Sequence, residues 1–220
     1  MLHQHKKTIT SSPGDFSKWH RGRKEFSIWM IELEHDEVHR KIWAARNHLS
    51  GLLLSPYERQ PHITLVVCGF LVNERRWYDD YDKSQFDAHC RQLKESKLKP
   101  FSIEIHGLDS FASAPFFHVR DCQGGIEQIK ALLSTTAIDI DDDRYSPHVT
   151  VGLYSGAFDS RVVLERIKAF ADEPIRLSVD RITFAAYDAS DIRGPLVYKH
   201  RVELSKCECI QEVNCTPRTK

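Results

Sequence analysis

The sequence has no apolar run approaching the roughly 20 residues that a membrane-spanning helix needs, so a helical membrane protein is not expected. It carries no net charge either. Its 31 Lys and Arg residues balance 31 Asp and Glu residues, which argues against a protein built to grip long nucleic-acid tracts through a basic field. A local basic groove for a short nucleotide remains open. Six cysteines among 220 residues are too few for a disulfide scaffold. Cys68 and Cys90 fall on apolar faces of an expected strand and helix, as buried free thiols do. The polar N-terminus lacks the apolar stretch of a secretory signal, so a reduced, cytoplasmic compartment is the expectation. No Gly-x-x-x-x-Gly-Lys-Ser/Thr phosphate loop occurs, and no carboxylate cluster is suited to a pair of divalent ions. No cofactor is expected.

What the chain does have is a repeated phrase. Pro61-His62-Ile63-Thr64-Leu65 returns as Pro147-His148-Val149-Thr150-Val151, each copy opening a β-branched, apolar run. On an extended strand, residues i and i+2 share a face. His62 and Thr64 therefore project together with Ile63 and Leu65 turned into a core, and His148 and Thr150 do the same against Val149 and Val151. Two such strands facing one another present two imidazoles and two hydroxyls to a common groove.

The rest of the pattern fits a composition of 28% charged and 41% hydrophobic residues, ordinary for a soluble globular protein. Residues 1–24 read as a flexible N-terminal tail, 25–205 as a single two-lobed domain, and 206–220 as a flexible C-terminal tail. A buried strand is expected from Phe26 to Leu33. A helix capped by Asp36 follows, with Val38, Ile42, Ala45, Leu49 and Leu52 on one face. Beyond the first motif strand, on which alternation places Val66, Cys68 and Phe70 beside His62, a loop carries Trp77, Tyr78 and Tyr81. It reads either as a substrate lid or as a surface loop. A helix marked by Phe86, Cys90 and Leu93, strands at Ile103–Ile105 and Phe116–Arg120, and a helix after Gly124-Gly125 come next. The second motif strand is expected to end near Tyr154. A helix bearing Val163, Ile167 and Phe170, and three closing strands, complete an α+β chain whose two halves echo one another. The architecture expected from this pattern is one domain of two pseudo-symmetric α+β lobes.

An imidazole with a pKa near 6.5 holds either protonation state around neutral pH. One histidine of the pair is able to take a proton from water while the other gives one to a leaving alkoxide. The hydroxyls of Thr64 and Thr150 are able to donate to the non-bridging oxygens of a phosphodiester. This scheme uses no metal, and the sequence does not say which histidine is the base. Tyr154 and Phe70, on the motif faces, are candidates to stack on a base or to be plain interior aromatics. Arg144 is a candidate phosphate ligand, with Asp141, Asp142 and Asp143 as competing partners. His35 and His39 lie on a charged helix face without a third ligand, and Cys207, Cys209 and Cys215 sit in the C-terminal tail. Neither set is expected to bind metal.

The paired tetrads His62-Ile63-Thr64-Leu65 and His148-Val149-Thr150-Val151 resemble the signature of the 2H phosphoesterase superfamily, the group of 2′-5′ RNA ligase-like proteins and cyclic nucleotide phosphodiesterases. The resemblance spans residues 26–204. It implies two lobes related by a pseudo-two-fold axis, each an antiparallel sheet with outer helices around a central cleft, and a phosphodiesterase site built on His62, Thr64, His148 and Thr150. Bacterial ligase-like members often carry an Arg five positions after the second motif histidine, where this chain has Leu153. The expected substrates are RNA 3′ ends, a 2′,3′-cyclic phosphate first among them, or short 2′-5′ or cyclic oligonucleotides, handled by a monomer. The contrasting expectation is a non-catalytic nucleotide-binding module on the same fold.

Overall fold

The apolar run after Lys24 becomes the central strand of a sheet. In the computed structural model, which describes residues 1–10, 17–134 and 145–205, β1 (Glu25–Glu32) is buried along all but its first residue. Such a strand needs cover on both faces. Trp29 and Ile31 face the main core, while Phe26, Ile28 and Met30 enter two smaller apolar clusters on the other side. The helix α1 (Ser17–His20) precedes it, and α2 (Asp36–His48) follows, with Val38, Ile42 and Ala45 buried. Its cap position is His35, and Asp36 is the first helical residue.

The strand β2 (His62–Leu71) carries the first motif and runs antiparallel to β1. Strand β3 (Asp80–Tyr81) is parallel to it, and α3 (Lys83–Glu95) starts with a reciprocal cap between Asp82 and Gln85. Then come β4 (Phe101–Ser110), β5 (Pro115–Asp121), α4 (Gly125–Leu133), β6 (His148–Thr150), α5 (Ser160–Lys168), β7 (Ile175–Val179), β8 (Arg181–Asp188) and β9 (Val197–Glu203). The strands form two sheets, ordered β3-β2-β1-β8-β9 and β6-β5-β4-β7.

The two orders explain the echo. Each motif strand pairs antiparallel with the strand one helix before it: β2 with β1 across α2, β6 with β5 across α4. The next strands, β8 and β9 in one sheet and β4 and β7 in the other, are likewise antiparallel. The lobes are interleaved along the chain, since β8 and β9 close the first sheet from the far end. One core joins them, with Ile63, Leu65, Val149 and Val151 in a single cluster with α2, α3 and α4 residues. Among the described residues, no helix is long and apolar enough to cross a membrane.

Two bulges correct the expected alternation along β2. Met30 pairs with Thr64 and Trp29 with Val66, so Leu65 is extra, and Cys68 is passed over in the same way. A bulge places two consecutive residues against one partner and so inverts the alternation beyond it. Val66 and Cys68 therefore face the core, not the His62 side. The second bulge restores Phe70 to the His62 face, opposite Phe26. Gly69 makes this possible at φ +113°, where an added Cβ would stand 2.3 Å from the Asp79 carbonyl oxygen.

Part of the expected N-terminal tail is bound to the domain. Leu2 is fully buried in a cluster with Leu49, Tyr154, Val163 and Ile167. Thr8 donates its hydroxyl to the Gly156 carbonyl at 2.7 Å and accepts from the Phe158 N–H at 2.8 Å. One leucine, the Thr8 hydroxyl and backbone bonds along Lys6 to Ile9 carry this docking, too little pattern to read from sequence. Arg23 is buried, with its guanidinium on Asp79 (2.7 Å) and Asp80 (2.5 Å). That pair, with Tyr81 fully buried, fixes the end of the loop considered as a lid. Trp77 and Tyr78 stay exposed on it. The C-terminal tail and its three cysteines lie outside the described residues.

Candidate active site

The motif side chains fall as the alternation requires. His62, Thr64, His148 and Thr150 are half-buried, while Ile63, Leu65, Val149 and Val151 are buried behind them. Strand β3 pairs only with Phe70 and Leu71, at the far end of β2 from His62, and β2 also packs against β6. The Tyr145 hydroxyl donates to the Thr64 carbonyl at 2.8 Å and ties the run-in of the second motif to the first motif strand.

The two histidines are held alike. His62 Nδ1 lies 2.8 Å from the Gln60 carbonyl, and His148 Nδ1 lies 2.8 Å from the Ser146 carbonyl. A carbonyl only accepts, so each Nδ1 carries the hydrogen and each Nε2 is the atom left for proton transfer. Burial pushes the His62 imidazole down to about 4, helped by the charges of Arg59 and His148 and opposed by the Gln60 bond. Burial also lowers His148, with His118 adding to it and the Ser146 bond opposing. Both rings therefore favour the neutral form in the free protein. No hydrogen bond among the described residues occupies either motif threonine hydroxyl, which leaves both able to donate.

Residues around the motifs complete the walls. Opposite His148 on β5 stands His118, and opposite Thr150 stands Phe116. Phe111 stacks on Phe116 at 4.1 Å and meets the His148 ring edge-on at 4.9 Å. His118 Nε2 lies 3.2 Å from Asp109 Oδ2. In the other lobe Glu32 is opposite His62, but it is engaged by Arg201 (2.8 and 2.7 Å) and by the Thr183 hydroxyl. Burial works to raise that carboxyl, yet those bonds hold it below the usual carboxylate range. Glu32 is thus a fixed anion within a wall. Arg59 lies on the loop leading into the first motif, its guanidinium 3.8 Å from the Tyr187 ring centre. Among the described residues, no group of three or more His, Cys, Asp or Glu is placed to hold a metal ion.

The other candidates do not join the motifs. Phe70 is on the His62 face but fully buried, packed against Phe26 and Trp19 with the Arg23 guanidinium 3.6 Å from its ring centre. Strand β6 ends at Thr150, so Tyr154 does not continue the His148 face. It is fully buried, bridges to Leu53, and its hydroxyl lies 2.6 Å from Ser110 Oγ. Neither ring is open to a base. Arg144 lies outside the described residues. Sequence reasoning missed Arg59, His118 and Phe111. Arg59 was within reach, because the argument that singled out Arg144 before the second motif applies equally to an arginine before the first. His118 becomes a neighbour of His148 only through strand pairing, and Phe111 only through the turn between β4 and β5.

Residues 35–191 match the family model described as the 2′-5′ RNA ligase superfamily. A comparison with curated proteins gives no match. Among solved structures, E. coli LigT complexed with 3′-AMP is similar at 16% identity, covering 84% of this chain and 99% of that one with a TM-score of 0.54. E. coli LigT in apo form matches at 17% identity, 84% and 99% coverage and a TM-score of 0.53. The TT0787 protein of Thermus thermophilus matches at 12% identity, 82% and 98% coverage and a TM-score of 0.52. At these identities the structures bear on the fold, which is the same two-lobed α+β arrangement.

Proposed function

The chain belongs to the 2′-5′ RNA ligase superfamily, the 2H phosphoesterases, and from that premise we propose that it is a metal-independent phosphodiesterase that hydrolyses a 2′,3′-cyclic phosphate at the end of an RNA or small nucleotide. The observation that carries the reading is the matched pair of Nδ1–carbonyl contacts, both 2.8 Å, which reserve two Nε2 atoms for proton transfer. His62, the more strongly depressed ring, is the base, and His148 is the acid. A water oxygen bonds to phosphorus as Nε2 of neutral His62 takes its proton. The bond from phosphorus to one ribose oxygen breaks, and that oxygen takes the proton from Nε2 of the His148 imidazolium. The anionic phosphodiester, once bound, raises the pKa of both rings and favours charging the one that donates. Thr64 and Thr150 donate to the non-bridging oxygens, where charge gathers in the transition state. That E. coli LigT has been obtained with 3′-AMP and with phosphate supports a nucleotide phosphate as the ligand class.

Each proton transfer contributes roughly 10²–10⁴-fold. His62→Ala and His148→Ala should each lose turnover on that scale on a short RNA ending in a 2′,3′-cyclic phosphate, with chelator present and the fold unchanged by circular dichroism. Substantial activity in either folded variant would overturn the mechanism. An analogue with sulphur in place of the leaving oxygen needs no acid, so it should restore turnover to His148→Ala but not to His62→Ala. The reverse pattern would exchange the two roles.

A further inference from the structure

Among the described residues, two arginines beside the cleft have no carboxylate partner. Arg23 is engaged by Asp79 and Asp80, and Arg201 by Glu32. Arg46, on α2, instead gives its Nε to the Val151 carbonyl at 2.8 Å and holds its guanidinium 5.1 Å from the Tyr57 ring centre. Arg59 gives its Nε to the Gly194 carbonyl at 3.1 Å, and its Nη2 is buried without a hydrogen-bond partner. A guanidinium offers five donors in a planar fork that suits phosphate, and an unmet buried donor is costly. Both arginines act electrostatically on Tyr57, and Arg59 also acts on His62.

A cavity of about 370 Å³ opens beside Arg46, lined by Arg46, Asn47, Ser50, Ser55, Tyr57 and Gly152, while Arg59 is not among its lining residues. Its size is within the range of small-ligand sites. Gly152 is two residues beyond Thr150, so the cavity lies within about 7 Å of the motif along the backbone. Burial without a carboxylate neighbour pulls the Arg46 guanidinium below its ordinary pKa, the condition an anion would relieve.

We propose that Arg46, with Tyr57 and Ser55 in the same cavity, forms a second phosphate site beyond the second motif strand, which takes the neighbouring phosphate of a nucleotide chain. The site marks the substrate class as an oligonucleotide end, or a nucleotide with a second phosphate, over a bare cyclic mononucleotide. The assignment rests on the phosphodiesterase reading only in naming that chain as substrate. Binding by itself tests the site, and turnover tests the reading.

The probes are adenosine 3′-monophosphate and adenosine 3′,5′-bisphosphate, titrated calorimetrically into the full chain. The expected result is a preference for the bisphosphate of about ten- to a hundredfold, the scale of a hydrogen-bonded charge pair. Arg46→Gln should abolish the preference and Arg46→Lys should restore part of it, because Lys keeps the charge without the fork. Equal affinity of the unmodified protein for the two probes would overturn the proposal, and that comparison does not depend on any variant folding. A preference unchanged in Arg46→Gln would overturn it as well. A bisphosphate preference in a protein that turns over no cyclic phosphate would uphold the site while the catalytic reading failed. Turnover with equal probe affinities would mean the opposite.

Discussion

Replacing His89 by Gln would expose how the first sheet is anchored behind the cleft. The ring is fully buried on α3. Its Nδ1 lies 3.0 Å from Trp29 Nε1 and 2.7 Å from the Tyr81 hydroxyl, and its Nε2 lies 3.0 Å from the Leu133 carbonyl. An indole N–H only donates and a carbonyl only accepts, so the neutral Nε2–H tautomer is specified on both sides. A second proton on Nδ1 would oppose the indole N–H. Burial holds the ring at about 4, against the favourable Leu133 bond, whereas an unfolded histidine titrates near 6.5. The folded state thus resists a proton that the unfolded state accepts. Its contribution to stability is complete above pH 6.5 and is lost as pH falls from 6.5 toward 4. With those two values the loss is about 2 kcal/mol at pH 5 and about 3 kcal/mol once both states are protonated. For a chain of this size, 2 kcal/mol is about 4–8 °C in Tm. His62 titrates with the same sign, but it does so equally in parent and variant. Urea unfolding of parent and His89→Gln at pH 8 and pH 5 separates the two. The parent should lose about 2 kcal/mol more than the variant between those pH values. Equal losses, within about 0.5 kcal/mol, would refute the assignment of a proton-refusing His89.

Thr64→Val and Thr150→Val should each lower kcat by roughly 10²–10³-fold on a cyclic phosphate with little change in melting temperature, as removal of one oxyanion donor does. The kcat/KM profile should fall as pH drops through about 4, where His62 takes a proton and ceases to be a base. On the alkaline side it should begin to fall below pH 6.5, because His148 is also lowered from the ordinary histidine value. Arg59→Gln removes a charge that depresses His62, so its acid limb should move to higher pH. Arg23→Met should cost about 3–5 kcal/mol in urea unfolding, since it strands the buried Asp79 and Asp80 carboxylates. Gly69→Ala should fail to fold or lose at least ~1–3 kcal/mol by the same assay, because the added methyl meets the Asp79 backbone at a left-handed φ.

The motif was legible because its physics is local. A period of two over His62 to Leu65 and His148 to Val151 decides which side chains share a face, whatever the neighbouring strands do. The helices were legible for the same reason: apolar residues recur at helical spacing from Val38 to Ala45 and from Val163 to Ile167. That reasoning stopped where pairing took over. The bulge at Leu65 is imposed by β1, and it turns Val66 and Cys68 into the core against a simple alternation. Phe70 kept its face but lost its exposure to Trp19 and Arg23, which approach from a segment that sequence alone left as a tail. Tyr154 was counted on the His148 strand, which ends four residues earlier. The interleaving of the lobes, with β8 and β9 completing the sheet of the first motif, is a matter of long-range strand order that composition cannot fix. Sequence therefore determined which four side chains carry a common polar face. Tertiary structure alone decided what stands beside them, because His118 and Phe111 reach His148 through cross-strand register and the turn between β4 and β5, which join residues distant along the chain.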